Sequence, residues 1–158
     1  MKNIYEWNNE YALYHKNKTN KLIHWICIPL IMFSLFGLLS LIKPLYTFIM
    51  NEGTYEITIL GLFMILTILY YLKLSKSLAI GMFLISAIFI CIIDLISLFD
   101  KNQLLLIYIS IFTVAWIGQF LGHKIEGEKP AFFKDLQFLL IGPLWLLSFI
   151  YNKLNIKI

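Results

Sequence analysis

The stretch Tyr14-His-Lys-Asn-Lys-Thr-Asn-Lys-Leu-Ile-His24-Trp-Ile-Cys-Ile-Pro29 passes from a lysine-rich polar segment into an apolar run that continues to Ile42. A run of that length is close to the roughly 20 apolar residues that a membrane-spanning helix needs. The polar residues before it, Lys16–Asn20, read as a turn, and Thr19 or Asn20 is the expected N-cap of the helix that follows. His15 and His24 sit nine positions apart, so one straight helix would point them in opposite directions. A break at Lys16–Asn20 lets both imidazoles converge at the mouth of the span. Asn20 and His24, four apart, share a helix face.

Further apolar runs follow at Ile57–Leu72, Leu78–Phe99 (interrupted by Asp94) and Leu104–Leu121. The chain is 60% hydrophobic and 14% charged, with a mean hydropathy of +0.80. Soluble domains are about 45–50% apolar and about 25% charged, so the composition predicts an all-α integral membrane protein. The expected architecture is one membrane-embedded helical domain over residues 1–158. It has four transmembrane helices, an N-terminal interfacial helix and a short or re-entrant C-terminal helix, with a fifth full span as the alternative for that last segment. Phe133–Tyr151 supplies that last element: Gly142-Pro143 is expected to kink or break it, and Asp135 and Gln137 sit in its first turns. No cleaved leader is expected from the polar, aromatic first twenty residues.

Charge orients the bundle. Lys16, Lys18 and Lys21 precede the first run, Lys73 and Lys76 follow the second, and Lys124, Lys129 and Lys134 follow the fourth. The positive-inside rule then places the N-terminus and these two connections in the cytoplasm, in either a bacterial inner membrane or the endoplasmic reticulum. The net charge of +4 lies in short lysine clusters between apolar runs, which does not suggest a nucleic-acid partner. Cys27 and Cys91 fall on different spans at depths offset by about 13 Å, too far for a disulfide, and both are expected to be core thiols. Asp94 falls near the outer end of its span, away from the histidines.

The third histidine lies in Trp116-Ile-Gly-Gln119-Phe-Leu-Gly122-His123-Lys-Ile-Glu126. At 100° per residue, Trp116, Gln119, His123 and Glu126 occupy an arc of about 80°. An amide, an imidazole and a carboxylate on one face of a span belong against a bundle interior or cavity, because lipid-facing polar groups are costly. All three histidines of the chain, His15, His24 and His123, are thus expected at one face of the membrane, as ligands of a metal site assembled by folding. Asn20, Gln119 and Glu126 are the polar groups expected to serve catalysis beside it. Glu126 is placed next to an imidazole N–H in preference to the metal itself. A non-catalytic four-span protein, a transporter accessory or assembly factor with interfacial histidines, is the alternative. A zinc site hydrolysing a lipid ester is a third reading.

Taken in order, Tyr14-His15, Asn20-Lys-Leu-Ile-His24-Trp-Ile-Cys-Ile-Pro29-Leu and Trp116 through Ala131 resemble a small membrane-protein family. It is typified by the fungal 2-hydroxy fatty acid dioxygenase of phytosphingosine breakdown. Gln137-Phe-Leu-Leu-Ile-Gly-Pro143-Leu-Trp is similar to the family's closing segment, although Trp145-Leu-Leu-Ser-Phe continues without the carboxylate that members tend to carry there. The resemblance implies an Fe(II)-dependent, O₂-consuming α-oxidation that shortens a 2-hydroxy fatty acid by one carbon. It also implies that His15, His24 and His123 correspond to the family's essential histidines. The donor set suits this chemistry, since imidazole-rich, open-sided Fe(II) sites activate O₂. Lys16, Lys18, Lys21, Lys124 and Lys129 would draw an anionic head group to the same mouth while its alkyl tail stays among the spans. Chain length of the substrate and oligomeric state are not encoded in any of these features.

Overall fold

The structure is a computed structural model that describes residues 2–51, 53–127 and 132–158, the side chains of 132–136 excepted. The expected contributions of Lys129, Lys134 and Asp135 lie outside the described residues. A short helix α1 (Ile4–Leu13) precedes the long helix α2 (Lys18–Ser40). A hairpin of β1 (Tyr46–Met50) and β2 (Gly53–Ile57) leads to α3 (Ile59–Leu74), α4 (Lys76–Ile96), α5 (Lys101–Glu126) and α6 (Phe132–Lys153).

Local chemistry sets these boundaries. Asn3 caps α1 through a reciprocal pair: its side chain accepts from the Glu6 amide, and Glu6 accepts from the Asn3 amide. The N-cap of α2 is Asn17, whose side chain accepts from the amides of Thr19 and Asn20. This corrects the expectation of Thr19 or Asn20; several cap-competent residues compete in Asn17-Lys-Thr-Asn20, and the first of them takes the position. Ser75 serves both the end of α3 and the start of α4, making a tight turn between them. Gly127 ends α5 in the left-handed conformation, φ 81°.

Among the described residues, α2, α4 and α5 are long and apolar enough to cross a membrane. The remaining expected span corresponds to α3, which has 16 residues, about 24 Å at 1.5 Å per residue. The hairpin was not expected: Tyr46–Ile57 reads as a connection until its alternation is seen as strand.

The last helix also departs from expectation. It is one continuous helix of 22 residues with Pro143 inside it, neither short nor broken. Proline removes one main-chain hydrogen bond, but Phe138, Ile141, Leu144, Trp145 and Ser148 are all buried on its packed face, and that face holds the helix together. Its contacts keep to one end of the bundle. Tyr71 of α3 donates to the Leu140 carbonyl, Tyr151 donates to the Ser77 carbonyl, and Asn8 of α1 donates to Ser148. The cluster at the other end (Phe36, Ile93, Leu104 and Tyr108) contains no α6 residue. So α6 lies against the first half of α2 and the loop-side halves of α3 and α4.

The tightest pair is α2 against α5. Gly118 faces Cys27, and Gly122 faces Asn20 and His24, each leaving no room for a side chain. Cys27 is buried there, whereas Cys91 is exposed on the outer surface of α4, so only one of the two thiols is in the core.

Candidate metal centre

The break between α1 and α2 brings His15 and His24 together. Their ring centroids are 4.3 Å apart, and His123, from the last turns of α5, lies 5.2 Å from His15 and 4.9 Å from His24. One ligand nitrogen from each of the three falls within 4.8 Å of the others. His15 and His24 are buried, at 1% and 0% exposure, and His123 is half-buried.

The main chain orients two of these rings. His15 Nδ1 donates to the Tyr11 carbonyl at 2.7 Å, and His24 Nδ1 donates to the Asn20 carbonyl at 3.0 Å. A carbonyl only accepts, so each Nδ1 carries the proton and each Nε2 presents a lone pair. Both Nε2 atoms are buried and have no hydrogen-bond partner among the described residues. A buried polar atom without a partner costs about 1–3 kcal/mol, and a metal would satisfy both at once. Tyr11 fixes His15 further, stacking on it at 4.1 Å with the ring planes within 1°. Burial is the main cause that lowers His15 to a pKa of about 4, so the ring is neutral at neutral pH, the form that binds metal. Imidazole nitrogens about 2.0–2.1 Å from a shared ion stand roughly 3–3.5 Å apart. Closing the three around an ion needs side-chain shifts of about an ångström.

Glu126, on the same α5 face as His123, does not serve the imidazoles of His15 and His24, whose N–H groups are taken by carbonyls. One carboxylate oxygen accepts from the Lys16 amide at 2.7 Å, and both oxygens accept from the Asn17 amide. Asn20 Nδ2 donates to Glu126 at 2.9 Å and to the Tyr14 carbonyl at 3.1 Å. The carboxylate therefore clasps the α1–α2 break, at the amide-rich start of α2 where negative charge is favoured. Asn20 does double duty: its amide joins the clasp and its carbonyl holds His24.

Gln119 is half-buried and lines a cavity beside the histidines with His15, His123 and Trp116. The rest of that wall is apolar, with Ile31, Met32 and Leu139 leading into the bundle. Lys16, Lys18 and Lys124 are exposed around this end and Lys21 is half-buried. The sequence reading gives no role to Tyr11 or Asn17, and none to Gly118 and Gly122 beyond allowing close helix approach. The i−4 spacing of Tyr11 to His15 and the Gly118-x-x-x-Gly122 spacing were the available signals.

A membrane-type helical bundle with a largely buried three-histidine cluster at one end is the class that fold and site define. A family model for 2-hydroxy-palmitic acid dioxygenase Mpo1-like proteins matches residues 1–154. The 2-hydroxy-palmitic acid dioxygenase MPO1 of Saccharomyces cerevisiae is 32% identical over 147 residues, which cover 92% of this chain and 78% of the yeast protein. No solved structure matches. The chain belongs to the Mpo1-like family.

Proposed function

We propose that this protein is an Fe(II)-dependent dioxygenase that carries out α-oxidation of 2-hydroxy fatty acids, with His15, His24 and His123 as the iron ligands. The observation that carries the reading is the convergence of three imidazoles, two with buried, unpartnered Nε2 atoms. Imidazole suits iron, zinc, copper and nickel alike; the yeast relative's name, a dioxygenase of 2-hydroxy-palmitic acid, favours iron. Bound Fe(II) would supply the activation of O₂. The stoichiometry closes on oxygen alone: a 2-hydroxy acid and O₂ give the acid one carbon shorter, CO₂ and water. The C1–C2 bond breaks, the substrate gives up four electrons, and no outside reductant is required.

The chain's own residues bind, orient and exclude water. Lys16, Lys18, Lys21 and Lys124 attract the carboxylate to the mouth. Gln119 donates its amide N–H to the head group inside the cavity, and Ile31, Met32 and Leu139 receive the first carbons of the tail. Asn20 and Glu126 hold the α1–α2 break so that His15 and His24 keep their orientation. The lysine bias further supports a cytoplasmic position for this end. Single cysteines at 18 and 75 would then label from the cytoplasm and one at 101 from the opposite side.

The deciding experiment is anaerobic reconstitution of the detergent-purified chain with Fe(II), followed by 2-hydroxy-palmitic acid and air. The expected result is a product shorter by one carbon, with one O₂ consumed per turnover and none without oxygen. Turnover of a lipid ester by the zinc-loaded chain without oxygen, or no bound metal, would overturn the reading.

A further inference from the structure

At the end of the bundle remote from the histidines, the hairpin separates its residues by chemistry. The register pairs Tyr46 with Ile57, Phe48 with Tyr55 and Met50 with Gly53, so these share one face. The other face carries Thr47, Thr54 and Glu56, with Ile49 its one large apolar residue. On the first face the rings form a continuous strip: Tyr46 and Phe48 lie 6.2 Å apart, and Phe48 and Tyr55 lie 5.6 Å apart and stacked. Yet that face is open, with Tyr46 63%, Met50 53% and Tyr55 48% exposed.

The neighbouring helices indicate what lies against it. Helices α3 and α4 leave the same turn at Ser75, flanked by Lys73 and Lys76, so both start at one level. With 16 residues against 21, α3 stops about 7.5 Å short of the level that α4 reaches. Its roughly 24 Å also falls short of a hydrocarbon core of about 30 Å. The hairpin follows with no linker: Ile57, Thr58 and Ile59 run directly from β2 into α3, and the Leu45 amide donates to the Ile57 carbonyl at the root. Its root is therefore set a few ångströms inside the level where hydrocarbon gives way to head groups, one turn from the exposed Leu62 of α3, and the strands run outward from there. A two-stranded ladder leaves its outer main-chain groups unpaired, which bars it from the hydrocarbon interior, while tyrosine-rich surfaces favour the interface.

We propose that the β1–β2 hairpin lies on the bilayer surface at the end remote from the histidines, with its Tyr46–Phe48–Tyr55 face seated among the lipid head groups. It completes the short α3 by covering the interface that the helix does not reach. This inference does not depend on the enzymatic reading.

The test uses the full chain in phosphatidylcholine vesicles, with the exposed Cys91 replaced by serine and the buried Cys27 by alanine. Single cysteines at 48, 55, 47 and 54 carry nitroxide labels, and collision rates with oxygen and with a water-soluble nickel chelate are compared. The ratio of oxygen to nickel collisions is expected to be several-fold higher at 48 and 55 than at 47 and 54. Equal nickel access at all four positions would overturn the proposal, placing the hairpin upright in water. Spin–spin broadening at 48 or 55 would also overturn it, assigning the face to a second copy of the chain. Labels at 47 and 54 leave the aromatic strip intact. High nickel access at both must accompany the expected result, and protection of either from nickel would also overturn the proposal.

Discussion

The two ends of this bundle solve opposite problems. At the histidine end, His15, Asn20 and His24 are almost wholly buried, and polar groups in such surroundings must find partners. They are held by main-chain carbonyls, by the Glu126 clasp and by ring stacking on Tyr11. At the far end, Phe36, Ile93, Leu104 and Tyr108 form an apolar plug, and beyond it an aromatic face stands open. One end is specified by directional bonds between distant residues, the other by volume and hydropathy. Polar changes at the first end should therefore reach the histidine cluster, while packing changes at the second should reach stability alone.

The largest effect expected under this contrast comes from the three proposed ligands. His15→Ala, His24→Ala and His123→Ala should each lose bound iron and turnover to background while the chain still inserts, measured by metal analysis and product formation in vesicles. Because ligands act as a set, a double variant should be little worse than a single one. Retained iron in any of the three would remove that residue from the centre.

Glu126→Gln tests the clasp. Glutamine keeps an acceptor oxygen but loses the charge that the Lys16 and Asn17 amides and Asn20 all approach. Iron should stay bound and activity fall by about 10–100-fold, the range seen when groups that orient ligands are changed. Iron loss as complete as in the histidine variants would make the carboxylate a ligand.

A matched glycine pair separates the two ends most directly. A methyl group at Gly122 would collide with Asn20 and press on His24; one at Gly37 would collide with the Tyr108 ring. Each substitution with alanine should cost about 1–3 kcal/mol by overpacking, read as a lower melting temperature in detergent. Gly37→Ala should keep its iron, and Gly122→Ala should lose part of it. Equal iron loss in both would erase the distinction between the ends.

The smallest effect belongs to Cys91→Ser, on the outer surface of α4. Surface changes away from special features stay within about 0.5 kcal/mol, so melting temperature and iron content should match those of the parent chain.

Much of the histidine end was legible before any coordinates. Apolar runs gave the helices, lysine clusters set His15, His24 and His123 at one level, and the 3.6-residue period put Gln119, His123 and Glu126 on one stripe. The partners of Glu126 were not legible, because they are main-chain amides of Lys16 and Asn17, more than a hundred positions away, and amides carry no sequence signature. The continuity of α6 was hidden for a related reason: Pro143 signals a break locally, and only packing against α1 and α4 outweighs it. At the far end, Tyr-Thr-Phe-Ile-Met and Gly-Thr-Tyr-Glu-Ile do alternate, and Asn51 between them adopts φ 49°, a conformation asparagine tolerates. That signal was present but brief beside the long apolar runs flanking it.

The anchoring of His15 and His24 by the carbonyls of Tyr11 and Asn20 bears on how such a protein can change over time. A carbonyl survives every substitution of its own side chain, so the tautomer of each ring is protected against point mutation. The main-chain share of the anchoring thus persists through exchanges at residues 11 and 20, whereas the ring stacking of Tyr11 and the clasp through the Asn20 side chain do not. What threatens the arrangement is a proline or a deletion that alters the main-chain path between α1 and α2. At positions whose side chains take no part in the site, such as 12, 13 and 19, exchanges should thus leave iron bound where insertions or deletions would not, a pattern that mutagenesis of residues 11–24 would display.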